Sequence, residues 1–363
     1  QLGAAGLVRR DYQPWTRIIV EKPFGHDLES AKLLNRQLKQ HFREIQIYRI
    51  DHYLGKETVQ NMMAFRFANS IFEQFWNRNN VEAVQITAAE SIGVEGRGGY
   101  FEEAGILRDM VQNHLFQVLC LTGMEPPVSL TPDAVRDEKV KLLKSLRPIP
   151  PERMEDFVVR AQYSGAQVQG KSVPGYREEP GVKSDSSTET YVALKLFIDN
   201  WRWGGVPFFL RSAKRMPKKV TEISLHFRKA PHMLFGTDGS QPVPNLLSVR
   251  IQPDEGISLH FGSKVPGHSI DITPVDMEFR YANYFGGEPT EAYERLILDA
   301  MLGDNTLFIR DDETETSWEF ISKIHQAWAA QGNIRLPSYP CGTWGPPEAD
   351  RLVSEMGLEW KKL

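Results

Sequence analysis

Between residues 190 and 262 five apolar, β-branched runs succeed one another: YVALKLFI, VPFFLRS, VTEISLHF, NLLSVRIQ and GISLHF. That many strands cannot each bury an apolar face alone, so they must share a sheet. Strands that follow one another with mostly short connections read as a mostly antiparallel sheet.

The front of the chain follows another pattern. WTRIIV (15–20) reads as a buried strand that stops at EKPFG, where Pro23 and Gly25 end any ladder. Asp27 is a good N-cap, and Ala31, Leu34, Leu38 and Phe42 recur at helical spacing. QIYRID (46–51) reads as a second strand, which completes one βαβ unit. The two strands end in Glu21-Lys22 and Asp51-His52. Ligands in open α/β sheets sit beyond the carboxyl ends of strands, so both termini are expected to face one site.

Between these regions the pattern predicts a helix over 56–68, a strand over 81–90 and a Gly-rich loop over 93–101. A long helix then runs to about Leu121. A proline-rich stretch with a helical insert (125–151) and a polar loop (164–187) precede the strands, and helices near 290–302 and 312–330 follow them. The chain begins QLGAAGLVRR without Met, which reads as the inside of a longer protein.

Composition narrows the function. Lys and Arg total 43 against 47 Asp and Glu, too balanced for a general nucleic-acid binder. No run approaches the ~18 apolar residues of a membrane span. The only cysteines are Cys120, in an apolar run, and Cys341, in a Pro/Gly-rich loop and expected to be the exposed thiol. Two cysteines make no disulfide scaffold and fit a reducing, cytoplasmic setting.

RIDHYLGK (49–56) puts Asp51, His52, Tyr53 and Lys56 just past a strand end. His and Lys beside a turn suit a phosphate; a carboxylate cannot bind one, so Asp51 needs another task. In GILRDMVQNHLFQ, His114 shares a face with Met110, Val111 and Val118, where a lone His is more often a core residue. If Asp51 reached its far nitrogen, the imidazole would be oriented as a base. Asp109 lies roughly 140° from His114 around an α-helix, so the two should not stack, though both could flank one ligand. Glu90, Lys22 and the cationic run from Arg211 to Lys219 are weaker candidates. The nine histidines show no HxxxH spacing and no CxxC occurs, so no metal site is expected. GVEGRGG lacks the GxGxxG spacing and opens onto FEEAG, so it is expected to cradle no dinucleotide.

These segments, with EKPFG, GRGGYFEEAGILRDMVQNHLFQ, VPFFLRSAK, RIQPDEG and YPCGTWGP, closely resemble the glucose-6-phosphate dehydrogenase family, NADP-linked enzymes that open the pentose phosphate pathway. The resemblance implies an α/β remnant of a Rossmann-type coenzyme domain over 1–50. An α+β catalytic and dimerisation domain over 51–363 would follow, with a large, mostly antiparallel sheet and helices on one face. It implies oxidation of glucose 6-phosphate at C1 to a lactone with NADP as hydride acceptor. His114 would be the general base and Asp51 its orienting partner. His52, Tyr53 and Lys56 would hold the phosphate; Glu90, Asp109, Lys214 and Gln252 would fix sugar hydroxyls, with Lys219 nearby. Lys22 would sit between substrate and coenzyme, with Pro23 beside the nicotinamide. A homodimer or homotetramer through the large sheet is implied, with no nucleic-acid or membrane partner. Animal relatives carry a second, structural NADP site that Arg211 and Arg250 match, but Val220, Ser224 and His260 depart from it, so none is expected here. One alternative is a sugar-phosphate-binding, oligomerising module that cannot hold coenzyme; another is a His–Asp isomerase or hydrolase.

Overall fold

A computed structural model describes residues 5–8, 16–232, 244–268, 270–286, 291–332 and 334–363. The predicted front unit forms. Strand β1 (Ile18–Val20) pairs in parallel with β2 (Ile47–Arg49), and α1 (Leu28–His41) connects them. The Asp27 carboxylate accepts from the Ser30 amide in a capping box, which satisfies two orphan donors of the first turn. β2 is buried throughout. β1 is not: it pairs only with β2 among the described residues, and Ile19 is exposed. Trp15, the start of the expected strand, lies outside the described residues.

The loop 51–56 leads into α2 (Glu57–Phe67), followed by the short α3 (Ser70–Phe75) and by β3 (Val81–Ala89). The expected Gly-rich loop is shorter than predicted, because α4 (Gly98–Ile106) already begins within it. The expected long helix is not continuous. Gly105, at φ 65° and ψ 167°, ends α4, a conformation that glycine adopts without a Cβ clash. Leu107–Leu115 then winds as a π-helix before α5 (Phe116–Gly123). All eight residues of α5 are buried, as expected for a helix apolar on every side.

After α6 (Pro132–Lys144) come β4 (Val158–Ser164) and a small hairpin, β5 (Ala166–Val168) with β6 (Lys171–Val173), inside the expected polar loop. The strand-rich region supplies β7 (Tyr191–Phe197), β8 (Pro207–Ala213), β9 (Val220–Phe227), β10 (Leu246–Gln252), β11 (Gly256–Lys264) and β12 (Ile272–Arg280). Next are α7 (Tyr281–Phe285), α8 (Ala292–Leu302), α9 (Asp311–Ala330), β13 (Ser338–Pro340) and α10 (Pro347–Ser354). Strand β12 escaped the sequence reading because it is a solvent-exposed edge strand carrying Pro274, which the apolar-run criterion cannot see.

One nine-stranded sheet runs β12-β11-β10-β9-β3-β8-β7-β4-β13. It is mixed: the β3–β8 and β4–β13 pairings are parallel and the other six antiparallel. Strand β3, far back in sequence, lies between β8 and β9. The Leu107–Gly123 helix packs its apolar residues into the same core as these strands. Cys120 is buried as expected; Cys341 is also buried, contrary to the loop reading. Pro340 to Thr343 turn back onto the sheet edge, with the Cys341 and Gly342 amides bonded to Ser164 and Arg215 carbonyls.

Candidate active site

The two strand termini do meet. Past β2 the chain coils tightly: the amides of Leu54, Gly55 and Lys56 donate in turn to the carbonyls of Asp51, His52 and Tyr53. The Asp51 side chain closes the first turn by accepting from the Tyr53 amide at 2.9 Å, a local bond that Asp favours. Gly55 is required there, since a Cβ would stand 2.4 Å from the Ala292 carbonyl oxygen. That approach seats the start of α8 against the loop and brings the ring of Tyr293 to 6.0 Å from that of His52, nearly parallel.

The same Asp51 oxygen meets His114 Nδ1 at 2.6 Å, with both side chains almost wholly buried. Two residues 63 positions apart thus form a carboxylate–imidazole pair. Burial would raise the Asp51 carboxyl, but His114 beside it outweighs that and holds it well below its ordinary value. The Tyr53 ring stacks on the imidazole at 4.4 Å and 16°, and the His52 ring meets it edge-on at 4.6 Å. Burial, then the charges of His114, Lys22 and Lys56, push His52 down to about 4, so at neutral pH it offers a neutral donor and no positive charge.

Lys22, at the carboxyl end of β1, points its ammonium at the other nitrogen, His114 Nε2, at 2.8 Å, and at Asp109 Oδ1 at 3.3 Å. One ammonium lies between the two residues, so they flank a common group, as the sequence reading allowed. In i→i+5 winding, residues five apart return to the same face, unlike in an α-helix. Burial would raise Asp109, yet Lys22, Lys214 and His114 together hold it low.

The remaining candidates surround this pair. Lys214 is buried and bonds Glu90 at 2.5 Å. Lys56 donates to Gln252 Oε1 at 2.9 Å and lies over the Tyr53 ring. Burial, with Lys219 nearby, lowers Lys56 against the pull of Glu255. Lys218 and Lys219 are exposed, and Pro23 is exposed beside Lys22. Thr221 was missed by the sequence reading: its hydroxyl meets the Tyr53 hydroxyl at 3.2 Å and accepts from Gln252 Nε2 at 2.9 Å. Thr221 and Gln252 are cross-strand partners of β9 and β10, so only strand register reveals them. Tyr293 and Tyr100, whose hydroxyl points at Asp109, were missed likewise.

Asp51, His52 and His114 place one potential metal-ligand atom each within 4.8 Å of one another, a grouping that sequence spacing conceals. Asp51 Oδ1 and His114 Nδ1 are already bonded to each other, however, and a cationic ammonium faces Nε2. The arrangement is that of a proton-handling pair. Away from the site, Ser224 bonds Glu222 and His260 meets Asp276 at 2.9 Å, while Arg211 stacks over Trp360 and Trp344.

A βαβ unit whose strand ends meet an imidazole carried by a sheet-packed helix sets a proton-handling pair where ligands of open α/β units sit, an arrangement suited to an oxidoreductase. Two family models match the chain. "Glucose-6-phosphate dehydrogenase, NAD binding domain" matches residues 1–61, and "Glucose-6-phosphate dehydrogenase, C-terminal domain" matches 63–361. The chain belongs to the glucose-6-phosphate dehydrogenase family. It is 51% identical over 361 residues to a glucose-6-phosphate 1-dehydrogenase of Aggregatibacter actinomycetemcomitans, covering 99% of this chain and 72% of that protein. A Chlamydia pneumoniae relative of the same name is 49% identical, covering 97% and 69%. Among solved structures, a glucose-6-phosphate dehydrogenase in complex with its substrate glucose-6-phosphate superposes with TM-score 0.87 at 41% identity, covering 95% of this chain and 70% of that one. The Mycobacterium avium glucose-6-phosphate 1-dehydrogenase gives 0.84 at 38%, covering 100% and 72%. No helix among the described residues is long and apolar enough to cross a membrane.

Proposed function

We propose that the chain oxidises D-glucose 6-phosphate at C1 to 6-phosphoglucono-1,5-lactone with NADP as acceptor, the first step of the pentose phosphate pathway. The observation that carries this reading is the 2.6 Å bond between Asp51 and His114 Nδ1. It fixes the tautomer with the proton on Nδ1 and leaves Nε2 as the acceptor. Nε2 takes the proton of the C1 hydroxyl, and Asp51 stabilises the imidazolium that results, a role worth ~10²–10⁴-fold. The Lys22 ammonium, which faces Nε2, turns to the substrate. Lys56 and His52 bind the phosphate, with Lys219 adding charge at the rim. The Tyr53 ring supports His114, and its hydroxyl, which meets Thr221, joins them in holding the phosphate. Glu90, Asp109, Lys214 and Gln252 orient the sugar hydroxyls. The exposed Pro23 and the Lys22 ammonium, at the carboxyl end of β1, would hold the nicotinamide. A nicotinamide held there would supply the hydride acceptor for C1. The division into a coenzyme-domain part over 1–50 and a catalytic half from 51 belongs to the same proposal, as does a cytoplasmic homo-oligomer. The exposed Ile272 and Met277 of edge strand β12 support assembly through the sheet.

The test is NADPH absorbance after glucose 6-phosphate and NADP are mixed with the protein. Turnover supports the reading. Tight sugar-phosphate binding without reduction favours a binding and oligomerising module, and turnover without any nicotinamide favours an isomerase or hydrolase.

A further inference from the structure

The π-helical segment that carries Asp109 and His114 starts under unusual constraint. Gly105 breaks the preceding helix, which leaves the next amides without partners in their own helix. One residue takes both: the Ile106 amide donates to the Glu189 carbonyl at 3.0 Å, and the Leu107 amide to Glu189 Oε1 at 3.1 Å. Glu189 is buried and stands two residues before β7. Its neighbour Thr190 is tied to the sheet on both sides, donating to the Ala161 carbonyl and accepting from the Lys214 amide. The carboxyl also fills the space that a side chain at position 105 would need, with Oε1 2.4 Å from an ideal Cβ.

This contact matters because π winding is rare and is not self-sustaining over several residues. If the segment relaxed to α geometry, Asp109 and His114 would swing about 140° apart, and Lys22 could no longer reach both. Something outside the helix must hold the start of the segment, and Glu189 is the group that bonds it from the sheet.

We propose that Glu189 is a positioning residue for the base. By pinning the Ile106 and Leu107 amides to the sheet, it keeps Leu107–Leu115 in the register that sets Asp109 and His114 on one face. The inference rests on the proposed role of His114.

The experiment compares Glu189→Ala with Glu189→Gln in the full chain. Three quantities are read: thermal unfolding, kcat and KM for glucose 6-phosphate, and the ring-proton resonance of the His114–Asp51 hydrogen bond by NMR. Gln keeps an acceptor oxygen for Leu107, so it should retain kcat within about threefold and leave the resonance in place. Ala should lower kcat about 10- to 100-fold, the scale of a small misplacement of a catalytic group, with KM moving less than threefold and the resonance shifted or lost. Should the Ala variant not fold, Glu189→Asp withdraws the oxygen by one methylene and is expected to show the same kcat loss. An Ala or Asp variant that melts early but keeps kcat and the resonance would reduce Glu189 to packing and overturn the proposal; so would a Gln variant as impaired as Ala. If the unaltered protein reduces no NADP, the functional reading fails instead, and the His114 resonance, which needs no substrate, still decides the role of Glu189.

Discussion

Replacing Asp51 by Asn separates charge from shape at the centre of the site. The Asp51 side chain is about 1% exposed and bonds His114 Nδ1 at 2.6 Å and the Tyr53 amide at 2.9 Å, while its second oxygen has no partner among the described residues. The carboxylate charge therefore acts mainly on the imidazole. When His114 takes a proton, a cation forms beside it. Two unit charges about 4 Å apart at an effective dielectric constant near 20 attract by about 4 kcal/mol, and a hydrogen bond to a charged group is worth about 1.5–3 kcal/mol. These overlap, so about 3 kcal/mol of transition-state stabilisation is at stake, or about 150-fold in kcat. The amide has a further effect: an NH₂ turned towards Nδ1 would put the ring proton on Nε2, where it blocks proton abstraction. Asp51→Asn should therefore lower kcat by about 10²–10⁴-fold, the upper limit being the full worth of a general base. Affinity for glucose 6-phosphate should change less than threefold. The assay is initial-rate NADPH formation at saturating substrates, with calorimetric titration of the sugar phosphate. A folded variant with kcat within threefold of the parent would show that the pair is structural only.

Three further outcomes are expected. His114→Asn should abolish most turnover while nearly preserving substrate binding, since it removes a transition-state interaction; an unchanged kcat would remove His114 from the chemistry. Lys56→Ala should raise KM and lower kcat/KM through lost phosphate binding, and unaltered affinity for the phosphorylated sugar would make Lys56 a surface charge. Burial holds His52 and His226 down to about 4 and His325 to about 3. The unfolded chain therefore binds protons that the native state refuses below pH 6.5, and stability should be complete above that value and fall as pH drops towards 4. Allowing for residual solvent contact, each contributes about 1–2 kcal/mol, while Glu189, raised by its burial, acts in the opposite sense. Melting temperatures that stay flat or rise from pH 7 to pH 4.5 would contradict this.

Much of the molecule was legible in the sequence because local chemistry decided it. The Asp27 cap, the apolar runs of β7 to β11 and the coil at Asp51 to Lys56 all follow from bonds and periodicities that span a few residues. Errors arose where neighbours far along the chain intervene. Residues 107–115 scan as ordinary α-helix, yet the break at Gly105 and the contact from Glu189 accompany π winding. Cys341 scans as a loop thiol, but its turn folds back onto the β4 edge.

Sequence alone determined which residue types stand at the strand ends and on the buried helix, and hence what chemistry was available to the chain. Only the tertiary structure decided that Asp51 meets Nδ1 while Lys22 meets Nε2, that Gln252 joins Lys56 to Thr221, and that one Lys22 ammonium reaches both Asp109 and His114. The physical reason is range: caps and periodicities act over one or two turns, whereas a hydrogen bond between residues 63 positions apart is fixed by the packing of a whole core.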